Sequence, residues 1–100
     1  MTKFNLQKLG RIIQNRIKSK NKNSYSYNLS KNHKLLNKKI IEEARELTLT
    51  KNKNQVIWEA SDLLYFVLVF LIKRKVKLEK IEEKLEERNI IKSKKLNFRR

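Results

Sequence analysis

The chain has 100 residues, enough for a single domain, and no cysteine, which excludes disulfides and thiolate metal sites and fits a reducing compartment. It has no proline and one glycine, Gly10, a composition that favours helices with short polar connections over a turn-rich β fold. The net charge of +16 suggests nucleic acid, but residues 1–40 hold eleven basic side chains and no acid, residues 89–100 hold five and none, and the stretch between holds ten of each.

The accompanying Asn and Ile give a Lys/Asn/Ile bias that an AT-rich genome also produces without any function attached. A positive field would in addition steer a highly phosphorylated substrate.

Leu6, Leu9, Ile13 and Ile17, spaced by three and four, predict a first helix over residues 3–18. Gln7, Lys8, Arg11, Gln14 and Arg16 interrupt it, so it does not read as a signal peptide. Residues 19–27 (SKNKNSYSY) read as a polar loop. A second helix is expected over residues 29–50, with Leu36, Ile40, Ala44 and Leu47 as its apolar stripe. A third is expected over residues 55–74 and is apolar on almost every face beyond Asp62. Its uncharged run, Leu63 to Ile72, is half of the roughly 20 residues a bilayer needs, so it reads as a buried helix of a cytoplasmic chain. A helix apolar all round must be covered all round, which a chain this small can hardly do alone; a second copy is expected. A fourth helix is expected over residues 78–88, with Leu78, Ile81 and Leu85 inward, followed by a basic tail. The expected domain is residues 1–91, with residues 92–100 as tail. The fold class is therefore all-α: a helical bundle with two long central antiparallel helices, completed by dimerisation.

The placement of the acids is the informative feature. Five of the ten, Glu79, Glu82, Glu83, Glu86 and Glu87, alternate with lysines on the fourth helix and read as a solvated face. The other five are Glu42, Glu43, Glu46, Glu59 and Asp62. Glu43 and Glu46 stand at i and i+3 on one helix face, Glu42 lies near that face, and Glu59 and Asp62 repeat the spacing on the next helix. A short connection makes the two helices antiparallel neighbours, so the carboxylates converge and repel. A hard divalent cation with oxygen ligands, such as Mg²⁺, offsets that repulsion. The bland reading is a set of ordinary surface glutamates; two matched motifs beside Ala44, Ala60 and Ser61 count against it.

Here the chain resembles the MazG-type all-α nucleoside triphosphate pyrophosphohydrolases, whose metal signature is Glu-x-x-Glu followed by Glu-x-x-Asp. Within that superfamily it is most similar to the phosphoribosyl-ATP pyrophosphatases. The resemblance runs over residues 4–91 through LQKLGRIIQNRIK, Ser24-Tyr25-Ser26, Lys39-Ile40-Ile41-Glu42-Glu43-Ala44-Arg45-Glu46, Glu59-Ala60-Ser61-Asp62-Leu63-Leu64-Tyr65, Val76-Lys77-Leu78 and Leu85-Glu86-Glu87-Arg88. The IWEASDLLYFVLV stretch is especially similar to the version in fungal multifunctional histidine enzymes. Three positions depart from the pattern: Ile41 stands where many members have Gly, Phe66 where many bacterial members have His, and Ser26 replaces Thr while keeping the hydroxyl.

The resemblance implies hydrolysis of phosphoribosyl-ATP to phosphoribosyl-AMP and pyrophosphate with Mg²⁺. It implies Glu43, Glu46, Glu59 and Asp62 as metal ligands, Glu42 as an additional ligand or the general base, Glu43 as the other catalytic candidate, and Lys39, Tyr25 and Arg88 as substrate-binding residues. A homodimer and a phosphoribosyl-AMP cyclohydrolase partner are further implied; a membrane partner is not expected. Two other readings stand beside it: a house-cleaning hydrolase of other nucleoside triphosphates, and a small basic nucleic-acid-binding helical protein, which explains the charge but not acids that would repel phosphates. Trp58 is expected in core or interface packing, the lone histidine His33 exposed and inert, and Ser24 as a cap or loop hydroxyl.

Overall fold

The structure, a computed structural model, describes residues 3–93; side chains are described to residue 89. The described residues form five α-helices and no strand: α1 (Leu6–Ser19), α2 (Tyr25–Lys31), α3 (His33–Thr48), α4 (Lys53–Lys73) and α5 (Leu78–Ser93).

Side-chain caps set the boundaries. Asn5, in extended backbone, accepts the Lys8 N–H at 2.8 Å and starts α1. The expected loop is shorter than predicted, because Ser24 accepts the Tyr27 N–H at 3.2 Å and begins α2 at Tyr25. The expected helix over residues 29–50 is broken at Asn32. That residue ends α2 and also caps α3, accepting the Leu35 N–H at 3.1 Å. Asn52 caps α4 through the Gln55 N–H at 2.9 Å, while the Gln55 carboxamide reaches back to accept the Lys51 N–H at 2.7 Å.

Two helix ends place lysine where glycine is usual. Lys20 (φ 56°) follows α1 and Lys75 (φ 61°) follows α4, both in the left-handed region. After α4, the Val76 N–H donates to the Leu71 carbonyl at 2.9 Å and the Lys75 N–H to the Ile72 carbonyl at 3.0 Å. These two bonds close a Schellman turn that points the chain into α5.

The core is Ile13 from α1, Leu29 from α2, Leu36 from α3, and Phe66, Leu68 and Val69 from α4. Leu9, Ile17, Ile40 and Leu78 pack against it half-buried. α3 and α4, joined by residues 49–52, form an antiparallel hairpin with the most extensive packing in the chain, and α1 and α2 close over one side.

α5 differs from expectation in two ways. It continues to Ser93 rather than Arg88, with no glycine or proline to stop it. Among its described side chains, Leu78 packs on the core, whereas Ile81 and Leu85, expected inward, are exposed, because α5 meets α1 at its rim through Gln7, which donates to Glu82 at 3.1 Å. Most of the basic tail lies outside the described residues.

One side of α4 remains uncovered. Val56, Ile57 and Leu64 are exposed, with Ala60 between them on the same stripe, and Trp58 is 71 % exposed, so it is not a core residue of the protomer. By length and composition alone, α4 is apolar enough to cross a bilayer, although Glu59 and Asp62 sit in its first half. Ile41 is exposed too, so its bulk disturbs no contact within the protomer.

Candidate metal centre

The α3–α4 hairpin carries the acids. One carboxylate oxygen each from Glu43, Glu46 and Glu59 lies within 4.8 Å of the others, a spacing at which one cation can be shared. The i, i+3 step on α3 supplies the first pair, and the antiparallel packing of α4 on α3 brings in the third. Asp62 is exposed one turn further along α4 and falls outside that trio, though its charge reaches Glu43.

The electrostatics are unfavourable as they stand. Oε1 of Glu43 and Oε1 of Glu59 are shielded from water and have no donor. Desolvation pushes the Glu43 carboxyl up to about 7, assisted by the close Glu59 carboxyl and by the charges of Glu46, Glu59 and Asp62. Two facing acceptors are satisfied only by a shared proton or by a cation. The residues present therefore fit a hard divalent ion: oxygen donors, excess negative charge, and two buried oxygens in want of a positive partner.

The other candidates are spread around this centre. Glu42 is turned toward lysines, at 3.8 Å from Lys38 Nζ and 3.7 Å from Lys39 Nζ, and so stands outside the trio. Lys39 thereby lies one turn before Glu43 on the same helix. Arg88 is half-buried on α5, beside Glu87. Tyr25 opens α2 with half its surface exposed and stacks on Tyr65, the ring planes 10° apart and the centroids 6.2 Å apart. His33 is exposed, with Nε2 at 3.3 Å from Asn37 Nδ2, and Ser24 is the helix cap described above.

The sequence motifs contained Ser26 and Tyr65 without giving them a task. Ser26 is 2 % exposed, and its hydroxyl lies 2.6 Å from that of Tyr65. Burial raises the Tyr65 hydroxyl above its ordinary value despite the opposing Ser26 hydrogen bond. The available signal was a lone phenol within the run Leu63–Ile72, because a buried hydroxyl requires a partner.

A helical hairpin whose facing carboxylates gather on one patch defines a class: all-α proteins with paired acidic motifs, an arrangement able to accept a divalent cation. The family model described as phosphoribosyl-ATP pyrophosphohydrolase matches residues 6–89, and the chain belongs to that family. It is 39 % identical over 87 residues to the phosphoribosyl-ATP pyrophosphatase of Pyrobaculum neutrophilum, covering 83 % of this chain and 93 % of that protein. It is 38 % identical over 85 residues to the histidine biosynthesis trifunctional protein of Candida albicans, covering 85 % of this chain but 10 % of that protein. A similar protein from Saccharomyces bayanus is 38 % identical over 88 residues, covering 88 % of this chain and 11 % of its own length. The chain thus spans about a tenth of the fungal relatives it matches. No solved structure gives a significant match.

Proposed function

We propose that this chain hydrolyses phosphoribosyl-ATP to phosphoribosyl-AMP and pyrophosphate in histidine biosynthesis, with Mg²⁺ held by Glu43, Glu46, Glu59 and Asp62. The observation that carries the reading is the pair of buried, donorless oxygens of Glu43 and Glu59, in a chain of the phosphoribosyl-ATP pyrophosphohydrolase family. When bound, Mg²⁺ supplies charge neutralisation at the phosphates and lowers the pKa of a coordinated water. Glu43, Glu46 and Glu59 orient the phosphate chain from the hairpin side, with Asp62 completing the set from the next turn of α4. Glu42, held at the edge by Lys38 and Lys39, and Glu43 are the candidates to take the proton of the attacking water. Lys39 and Arg88 neutralise phosphate charge, and Tyr25 contacts the nucleoside.

The uncovered stripe Val56, Ile57, Ala60, Leu64 supports a homodimer in which a second copy buries α4 and Trp58. A dimer of this kind accounts for an apolar α4 in a cytoplasmic protein. A phosphoribosyl-AMP cyclohydrolase is the partner proposed for the next step, in keeping with relatives named as trifunctional proteins of histidine biosynthesis.

The test is incubation with phosphoribosyl-ATP and Mg²⁺ while pyrophosphate release is followed. Stoichiometric release that stops on chelation supports the reading. Release from common nucleoside triphosphates but not from phosphoribosyl-ATP moves the chain to the house-cleaning class.

A further inference from the structure

Tyr25 is the first residue of α2, and Ser26 beside it is buried. Adjacent helical positions point about 100° apart, so burying Ser26 sets the direction in which the Tyr25 ring leaves the helix. What fastens Ser26 is the 2.6 Å hydrogen bond between its hydroxyl and that of Tyr65 on α4. The Tyr25 ring then lies parallel to the Tyr65 ring, and Phe66 meets both edge-on, at 6.3 Å and 73° for Tyr25 and 5.3 Å and 69° for Tyr65. Phe66 is buried and Tyr65 is half-buried, so these two rings form the base of the cluster. Tyr25 is its outer leaf, 50 % exposed.

The location matters as much as the shape. Tyr65 follows Asp62 by three residues and Glu59 by six on α4, so the cluster lies about 9 Å along the helix axis from Glu59 and about a third of a turn round from it. An exposed, immobilised aromatic ring beside a cation-binding group of carboxylates suits a flat, uncharged ring carried on a phosphate chain.

We propose that Tyr25 stacks on the purine base of the nucleotide and that Ser26 and Tyr65 are positioning residues that hold it in register through their shared hydrogen bond. The proposal rests on the nucleotide-hydrolase reading for the identity of the ligand class and adds the base subsite and its fastening. A ring already held against Tyr65 loses little freedom when a base arrives, so the hydrogen bond acts on ligand affinity without touching the ligand. Stacking of a base on an aromatic side chain accounts for about tenfold in affinity or more.

The experiment compares binding of ATP with that of base-free ribose 5-triphosphate, both with Mg²⁺ and both by calorimetry, so that hydrolysis of phosphoribosyl-ATP is scored separately. Wild type is expected to prefer ATP by about tenfold or more. Tyr25→Leu should remove that preference and Tyr25→Phe should keep it. The double variant Ser26→Ala/Tyr65→Phe, which removes both hydroxyls and leaves neither orphaned, should lose most of it while melting close to wild type. Its KM for phosphoribosyl-ATP should rise several-fold with kcat nearly unchanged. Equal binding of the two ligands by wild type, or an unchanged preference in the double variant, overturns the proposal. Failure of wild type to hydrolyse phosphoribosyl-ATP while the ATP preference persists overturns the reaction assignment and leaves the base subsite standing.

Discussion

Glu43 and Glu59 face each other across the α3–α4 seam, each with one oxygen closed to water and neither with a donor to receive. The Glu43 carboxyl is held near 7 as a result, against an ordinary value of 4.5. A carboxyl whose folded-state pKa is raised binds more protons folded than unfolded between those two values, so the metal-free protein should lose stability as pH rises from about 4.5 to about 7. Thermal melts without metal are expected to show a falling melting temperature across that window. With Mg²⁺ present the fall should flatten, because the cation replaces the proton between the carboxylates. Melts that are independent of pH would remove the electrostatic basis of the centre.

Much of this arrangement was legible in the chain. Three-four spacing placed Leu9, Ile13 and Ile17 on one face of α1, and i, i+3 spacing placed Glu43 beside Glu46. What spacing does not contain is register between helices. The approach of α4 to α3 determines that Glu59 joins the trio and Asp62 stands a turn away. The break at Asn32 was hidden because asparagine is only a moderately poor helix former; its capping of α3 depends on α2 turning to bury Ser26 and Leu29. Ile81 and Leu85 share the spacing of an inward face, but both are exposed, because α5 meets the rest of the described protomer near Leu78 and Glu82.

The apolar stripe of α4 gives a prediction about assembly. Leu64 and Ile57 are 44 % and 62 % exposed, and covering them with a second copy is the expected state. Sedimentation should give twice the chain mass for wild type. Leu64→Glu places a charge in the apolar interface, so this variant should sediment as a monomer or aggregate. A wild-type protein that stays monomeric and well folded at micromolar concentration would defeat the dimer.

Lys75 and Lys20 hold left-handed backbone at φ 61° and φ 56°. That conformation disfavours an L side chain by roughly 1–2 kcal/mol, and glycine adopts it freely at some entropic loss in the unfolded chain. Lys75→Gly is therefore expected to stabilise the protein by about 1 kcal/mol, since its two Schellman hydrogen bonds use only backbone atoms. Lys20→Gly should act in the same direction. Denaturant midpoints measure both, and a decrease for Lys75→Gly would contradict the cap geometry.

The final prediction separates acids that act from acids that only solvate. Glu46→Gln and Asp62→Asn preserve side-chain shape and remove one negative charge each. If these residues hold Mg²⁺, each change should lower hydrolysis by about a hundredfold or more, beyond the effect typical of a residue that merely supports a ligand. The metal-free fold should be unharmed or slightly more stable, since the charges of both residues bear on Glu43. Glu86→Gln, on the exposed face of α5, removes the same charge and should leave activity and affinity for Mg²⁺ unchanged. Glu82→Gln is the less clean control, because Glu82 receives hydrogen bonds from Gln7 that tie α5 to α1. Direct titration with Mg²⁺ distinguishes lost binding from lost chemistry. Loss of affinity in the Glu46 and Asp62 variants, with the Glu86 variant intact, is the expected pattern. Near-full Mg²⁺-dependent hydrolysis by both amide variants would show that the α3–α4 carboxylates are not the metal centre.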